Sequence, residues 1–162
     1  MRITVIEYLS GGGYAEKDLP PDLLSEGYAM LKAVLTDFNQ LNHKTATLLD
    51  RRLLGLDEDF KADTIIPVSD EGEFRSEMTK QASASDYTLI IAPEEVLASM
   101  VEEVEASGAS TLNSSPESIR IASDKVGIQS KLRELGIPYP ESLVLDKMSE
   151  TLFDEAIGMG FP

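Results

Sequence analysis

The feature that most constrains the fold is the alternation of short, β-branched strand patterns with amphipathic helical patterns along the first 115 residues. Strand patterns occupy 3–8, 44–49, 64–68 and 86–92, and helical patterns follow Pro20, Asp70 and Pro93. Strands that alternate with helices pair in parallel, because each helix carries the chain back across the sheet. We therefore predict an α/β fold with an open parallel sheet and helices on both of its faces.

Two strands carry more specific predictions. Ile3–Tyr8 alternates in character and should be the first strand of the sheet. Tyr87–Ala92 is almost continuously apolar, as is typical of a strand covered on both faces, so we predict that it is the most buried strand. Ser110–Asn113 is compatible with a short further strand.

The pattern changes at Ser114–Pro116, which divides the chain into an α/β part, 1–115, and a second part, 116–162. The second part is predicted to begin a small α+β subdomain. Its predicted elements are two helices (117–122 and 124–135), an extended segment (137–140), a strand (141–145) and a helix (149–157). The chain stops at Pro162, where a strand would naturally follow, so we expect a fragment of a longer protein.

The charge and composition exclude several classes of function. Lys and Arg number 14 against 29 Asp and Glu, and the resulting net charge of −15 argues against nucleic-acid binding through a basic face. The sequence has no cysteine and one histidine, His43, which excludes zinc–thiolate sites and histidine clusters. It also contains neither an apolar run long enough to span a membrane nor a signal peptide, so we expect a cytoplasmic protein.

Candidate ligand contacts follow the strands. Gly11, Gly12 and Gly13 come just after the first strand, where backbone amides can approach a ligand, although the residues alone favour a flexible surface turn. Glu94 follows the fourth strand, and stabilisation of the helix dipole alone would account for it. We expect the glycines and Glu94 to flank a solvent-open cleft at one sheet edge, with the turn poorly ordered in the absence of ligand. No catalytic group and no metal site can be assembled.

The stretch from Asn113 to Pro140 resembles the connection between the N-terminal and ATP-binding domains of ATP-grasp ligases. It reads N-S-S-P, then D-K at Asp124–Lys125, K-L at Lys131–Leu132 and G-I-P-Y-P at 136–140. Residues 153–162 resemble the segment that precedes the family's next strand, and A-P-E at 92–94 resembles the domain before ATP-grasp. The string E-Y-L-S-G-G, starting at Glu7, resembles archaeal members related to tyramine–glutamate ligase.

The resemblance implies a Rossmann-like pre-ATP-grasp domain and a defined chemistry. In that family ATP and Mg²⁺ phosphorylate a carboxylate, and an amine then attacks the acyl phosphate. Lys125 matches the lysine that reaches the ATP phosphates, and Gly11–Gly13 match the region that holds the acceptor substrate. The family's second lysine and its magnesium ligands lie beyond Pro162, so this chain alone should be inactive and should bind no ATP tightly.

Alternatives remain at this stage. A solvated helix residue would account for Lys125 if the family string were disregarded. A non-catalytic α/β module that binds a small ligand or another subunit fits the same fold. A nucleotide-dependent oxidoreductase fits poorly, because the glycine-rich dinucleotide fingerprint is absent. The substrates and the oligomeric state stay open, with a homodimer among the alternatives.

Overall fold

The computed structural model describes residues 1–55, 60–140, 142–143, 154 and 156–160. Its contacts divide the chain into two units, Met1–Arg120 and Ile121–Pro162. The strand predicted at 141–145 and the helix predicted at 149–157 lie largely outside the described residues.

The first unit contains a four-stranded sheet in which every strand pair is parallel. The strands are β1 (Arg2–Glu7), β2 (Lys44–Asp50), β3 (Thr64–Val68) and β4 (Tyr87–Ile91), in the order β3–β2–β1–β4. Glu7, the last residue of β1, lies opposite Ile91, the last residue of β4. The predicted parallel α/β sheet is therefore confirmed.

Three helices cover both faces of this sheet: α1 (Pro21–Gln40), α2 (Glu71–Ser83) and α3 (Glu94–Ala106). Their starts follow local chemistry, since α1 and α3 begin at or just after prolines and the Asp70 carboxylate caps α2 by accepting the Glu73 N–H. Alternate side chains of the central strands point to opposite faces. Ile3 and Val5 pack with Leu31 and Leu35 of α1, whereas Ile6 packs with Phe74 of α2 and Val101 of α3.

The prediction that 87–92 is the most buried strand is wrong. β4 is the outermost strand on its side of the sheet, and only Thr88 and Ile90 are fully buried in it, whereas residues 3–7 of β1 and 45–50 of β2 are all buried. The outer edge of β4 is paired instead with the 110–113 segment. Thr88 donates to the Ser110 carbonyl, and the Asn113 side-chain amide exchanges two hydrogen bonds with the Ile90 backbone. Because the 110–113 segment covers the outer edge of β4, the strand is apolar although it does not lie at the centre of the sheet.

Two further helices follow, α4 (Pro116–Ser123) and α5 (Lys125–Glu134), close to their predicted bounds. The boundary between the two units falls within α4. The Asp124 carboxylate caps α5 by accepting the backbone N–H groups of Val126 and Gly127 at 3.2 and 2.9 Å. Gly136, with a φ of +66°, follows the end of this helix, as the sequence predicts.

Candidate functional site

The glycine run after β1 forms a single π-helical turn, Leu9–Gly13, and all five of its residues are buried. Gly12 has a φ of +110°, and a Cβ there would lie 2.6 Å from Cγ1 of Val68, so only glycine fits. Beside it, Gly11 packs against Phe74 and Leu48. The turn is therefore part of the core, which corrects the expectation of a solvent-open, poorly ordered surface turn.

The Glu7 carboxylate fixes this turn. The side chain is 2% exposed and accepts three hydrogen bonds from the next residues along the chain. The Leu9 N–H donates to Oε1 at 3.1 Å, and the Ser10 N–H and Oγ–H both donate to Oε2 at 2.6 Å. All three partners are donors, which suits a carboxylate because it offers acceptors only.

The neighbouring helix α1 approaches this carboxylate very closely at Gly27. A Cβ at Gly27 would lie 2.6 Å from Cδ and Oε1 of Glu7 and 2.7 Å from its Oε2. Any side chain at this position would displace the carboxylate or the helix. Gly27 thus lets the buried acid reach between β1 and α1.

A cavity of about 230 Å³ opens beside this contact, at the carboxyl edge of β1 and β4. Ligands of open α/β sheets bind at this edge. Most of the lining is apolar, and the two ionisable groups among the described lining residues are both carboxylates. The lining residues are Glu7, Leu9, Leu23, Glu26, Gly27, Met30, Ile91, Ala92 and Pro93.

The structure brings together some of the residues singled out by sequence. The glycine turn and Glu94 lie at the same sheet edge, as predicted, because they follow paired strands and Tyr8 donates its N–H to the Ile91 carbonyl at 2.9 Å. The cavity wall is nevertheless formed by residues next to them in sequence, Leu9 and Pro93. Glu94 is exposed in the first turn of α3.

Lys125, the predicted ATP contact, belongs to the second unit. It is the first residue of α5 and is exposed. His43 is half-buried just before β2, at the opposite edge of the sheet from the cavity.

A second buried carboxylate ends β2. Asp50 is 1% exposed and accepts hydrogen bonds from Nε and Nη2 of Arg52 at 2.9 and 2.6 Å. Arg52 also donates to the backbone carbonyls of Tyr14 and Lys17, at 2.7 and 2.8 Å, which ties down the chain after the glycine turn. The hydrogen bond with Asp50 raises the pKa of Arg52, so the guanidinium stays charged.

Sequence reasoning missed Glu7 and Gly27 as site residues. One signal was present: Glu7 continues the alternate positions of Ile3 and Val5, so it faces the same covered side of the sheet. An acid at a buried position of a strand needs partners, and the following Leu9–Gly13 turn supplies them. The contact with Gly27, 20 residues further on, has no such local signal.

Within the part of the chain that the structure describes, no group of three or more His, Asp or Glu side chains is placed to hold a metal ion. Among the same residues, no helix combines the length and the apolar character needed to cross a bilayer.

Comparison with known proteins agrees with this architecture. Residues 43–119 match the pre ATP-grasp 3 domain family. The biotin carboxylase domain of a single-chain bacterial carboxylase is similar in structure, with 13% identity, a TM-score of 0.60 and coverage of 98% of this chain and 35% of that chain. A multifunctional pyruvate carboxylase from Rhizobium etli has 13% identity, a TM-score of 0.57 and coverage of 88% and 13%. No curated protein sequence matches significantly.

At 13% identity, the structural similarity is evidence for the fold alone. The present chain spans 35% or less of the length of those chains. The family match covers β2, β3, β4, α2 and α3, which form most of the sheet and one of its helical faces. The first unit therefore has the fold of a pre-ATP-grasp domain.

Proposed function

We propose that this chain is the N-terminal part of an ATP-dependent carboxylate–amine ligase of the ATP-grasp type. The observation that carries the proposal is the pre-ATP-grasp family match, which falls on the sheet whose carboxyl edge bears the cavity. In this proposal the first unit binds a substrate and the second unit begins the ATP-binding region. ATP supplies the phosphoryl group that activates the carboxylate.

Lys125 is the residue that we assign to the ATP phosphates. The carboxylate of Asp124 accepts two of the free N–H groups at the start of α5, so those backbone donors already have a partner. A phosphate at this helix end would therefore be met by the exposed ammonium of Lys125. We place the magnesium ligands outside the described residues.

The acceptor substrate is assigned to the cavity edge. Gly11, Gly12 and Gly13 contribute by allowing the turn to pack beneath that edge, which keeps Leu9 and the Glu7 carboxylate in place. Glu94 is exposed beside the lining residue Pro93, where it can meet a substrate at the mouth of the cavity.

The test is a ligation assay on the protein encoded by the complete reading frame that contains these residues. We expect release of ADP and phosphate that requires both a carboxylate and an amine. Lys125→Ala should lower this rate at least tenfold and leave the circular dichroism spectrum unchanged. Lys131→Ala, on the same helix and also exposed, is the matched control. An unchanged rate in Lys125→Ala would remove this residue from the site.

The 162-residue chain itself should bind ATP–magnesium no more tightly than millimolar. One exposed lysine contact contributes ~1 kcal/mol, whereas micromolar binding needs roughly 8 kcal/mol. Titration calorimetry measures the constant directly. Micromolar binding that disappears in Lys125→Ala would mean that the nucleotide site is already complete here. An absence of ATP turnover in the longer protein, with tight binding of a small ligand, would favour the non-catalytic module.

A further inference from the structure

Among the residues that the structure describes, no cation pairs with the buried carboxylate at the cavity. Its three partners, two backbone N–H groups and the Ser10 hydroxyl, are all neutral. No Lys, Arg or His of the described segments forms an ion pair with Glu7. A buried charge is costly unless it is hydrogen-bonded and compensated. The described residues supply the hydrogen bonds and no counter-charge.

The cavity lining combines acidic and apolar residues. Glu26 brings a second carboxylate to the lining, from the residue before Gly27. The apolar walls are open to solvent at their rim, where Leu23 is 50% and Met30 is 41% exposed. No basic side chain of the described residues lines the cavity. An anion would therefore be repelled, whereas a cation with an apolar body would complement both the carboxylates and the apolar walls.

We propose that this cavity binds a primary ammonium group carried on a small apolar body, with the ammonium directed to the Glu7 carboxylate. Three of four acceptor positions of that carboxylate are used within the chain, which leaves one for a ligand N–H. Leu9, Met30 and Ile91 would contact the apolar body. The volume of about 230 Å³ limits the ligand to a small molecule, since drug-sized ligands need larger pockets.

This inference stands on the cavity and its charges. In one respect it rests on the proposed function: within a carboxylate–amine ligase, the ligand would be the acceptor amine. The experiment is therefore done without ATP, on the 162-residue chain, so that binding and catalysis are judged separately.

The probe is n-hexylammonium chloride, titrated into ¹⁵N-labelled protein and followed by amide chemical shifts. We expect saturable shifts at the backbone amides of Leu9, Ser10 and Gly27. Hexan-1-ol, which keeps the apolar body without the charge, should bind at least tenfold more weakly. Hexanoate should cause no shift at these amides. Equal binding of hexan-1-ol and n-hexylammonium, or shifts confined to other residues, would overturn the proposal.

Variants identify the group that recognises the ammonium. Glu7→Gln should weaken binding of n-hexylammonium at least tenfold, whereas Glu117→Gln, an exposed acid at the start of α4, should change it less than twofold. Unchanged binding by folded Glu7→Gln would refute the assignment.

If Glu7→Gln does not fold, Met30→Lys decides the question, because it adds a competing ammonium at the exposed rim and leaves the core intact. It should weaken binding at least tenfold, and unchanged binding would overturn the proposal. If the 162-residue chain binds no amine while the longer protein carries out ligation, this inference alone is refuted. Amine binding without any ligation would refute the proposed ligase alone.

Discussion

Two buried carboxylates end neighbouring strands of the sheet, and they are satisfied in opposite ways. Asp50, at the end of β2, is paired with the guanidinium of Arg52 two residues later. Glu7, at the end of β1, accepts from neutral donors alone among the described residues and lies against the cavity. Both carboxylates are 2% exposed or less. The comparison teaches that both acids hold a turn in place, and that the carboxylate without a cation is the one to which the proposed ammonium ligand is assigned.

Local sequence explains the difference. Asp50 is followed directly by Arg51 and Arg52, and a short 3₁₀ turn at Arg51–Leu53 brings the second of them back to the carboxylate. Glu7 is followed by apolar and small residues, and the next cation along the chain is Lys17. Proximity in sequence thus supplies a counter-charge at one strand end and none at the other.

The largest effect is expected when the cation is taken away from Asp50. Arg52→Met would leave a buried carboxylate uncompensated and would release the carbonyls of Tyr14 and Lys17. We expect a loss of about 3 kcal/mol in the free energy of unfolding, at the lower end for broken buried pairs because Arg52 is itself partly exposed. Urea denaturation measures it. Arg51→Met is the control, and a loss below ~1 kcal/mol for Arg52→Met would show that the pair is not structural.

Gly27→Ala tests the position of the Glu7 carboxylate. The added methyl would overlap it, so we expect a destabilisation of about 2 kcal/mol, within the range for overpacked cores. The sign is diagnostic, because the same change in a helix without this contact stabilises by about 1 kcal/mol through helix propensity. Urea denaturation measures the effect, and Ser25→Ala, at an exposed position of α1, is the control. Stabilisation by Gly27→Ala would contradict the observed approach of α1.

Glu7→Gln sharpens the contrast with Asp50. Glutamine keeps the volume and one acceptor oxygen, so the Ser10 donors stay satisfied while the Leu9 N–H loses its partner. One unsatisfied buried donor costs about 1 kcal/mol or slightly more. Chemical denaturation at neutral pH gives the value. A loss near the ~3 kcal/mol expected of a broken buried ion pair would indicate that Glu7 has a cationic partner after all.

The smallest effect concerns an ion pair outside the core. Lys44 donates to Asp63 at 2.7 Å, and this hydrogen bond, with a second from the Thr45 N–H, lowers the pKa of Asp63 from its ordinary 3.8. The pair therefore stabilises the fold above the unfolded-state pKa, and its contribution disappears as the pH falls through the lowered folded-state value. In the Asp63→Asn variant, the free energy of unfolding should fall less steeply as the pH is lowered. An identical pH dependence in the variant would contradict the assignment.

How much the sequence could predict depended on how local each feature is. The starts of α1, α2 and α3 follow from prolines and a cap within a few residues, and the sequence predicts them closely. Strand order is not local. The apolar character of β4 indicated burial but could not show that the 110–113 segment, rather than another strand, covers its outer edge. The contact between Glu7 and Gly27 likewise depends on where α1 crosses the sheet.

The strand order also determines when each partner strand of β1 becomes available during synthesis. β1 leaves the ribosome before the other three strands of the sheet, yet one of its two neighbours, β4, follows about 84 residues later, as the contact between Arg2 and Asp86 illustrates. At roughly 5–20 residues per second, that interval lasts about 4–17 seconds. Throughout it, one side of an apolar strand has no partner to pair with. In a nascent chain this edge of β1 therefore stays open to incorrect partners until β4 has emerged.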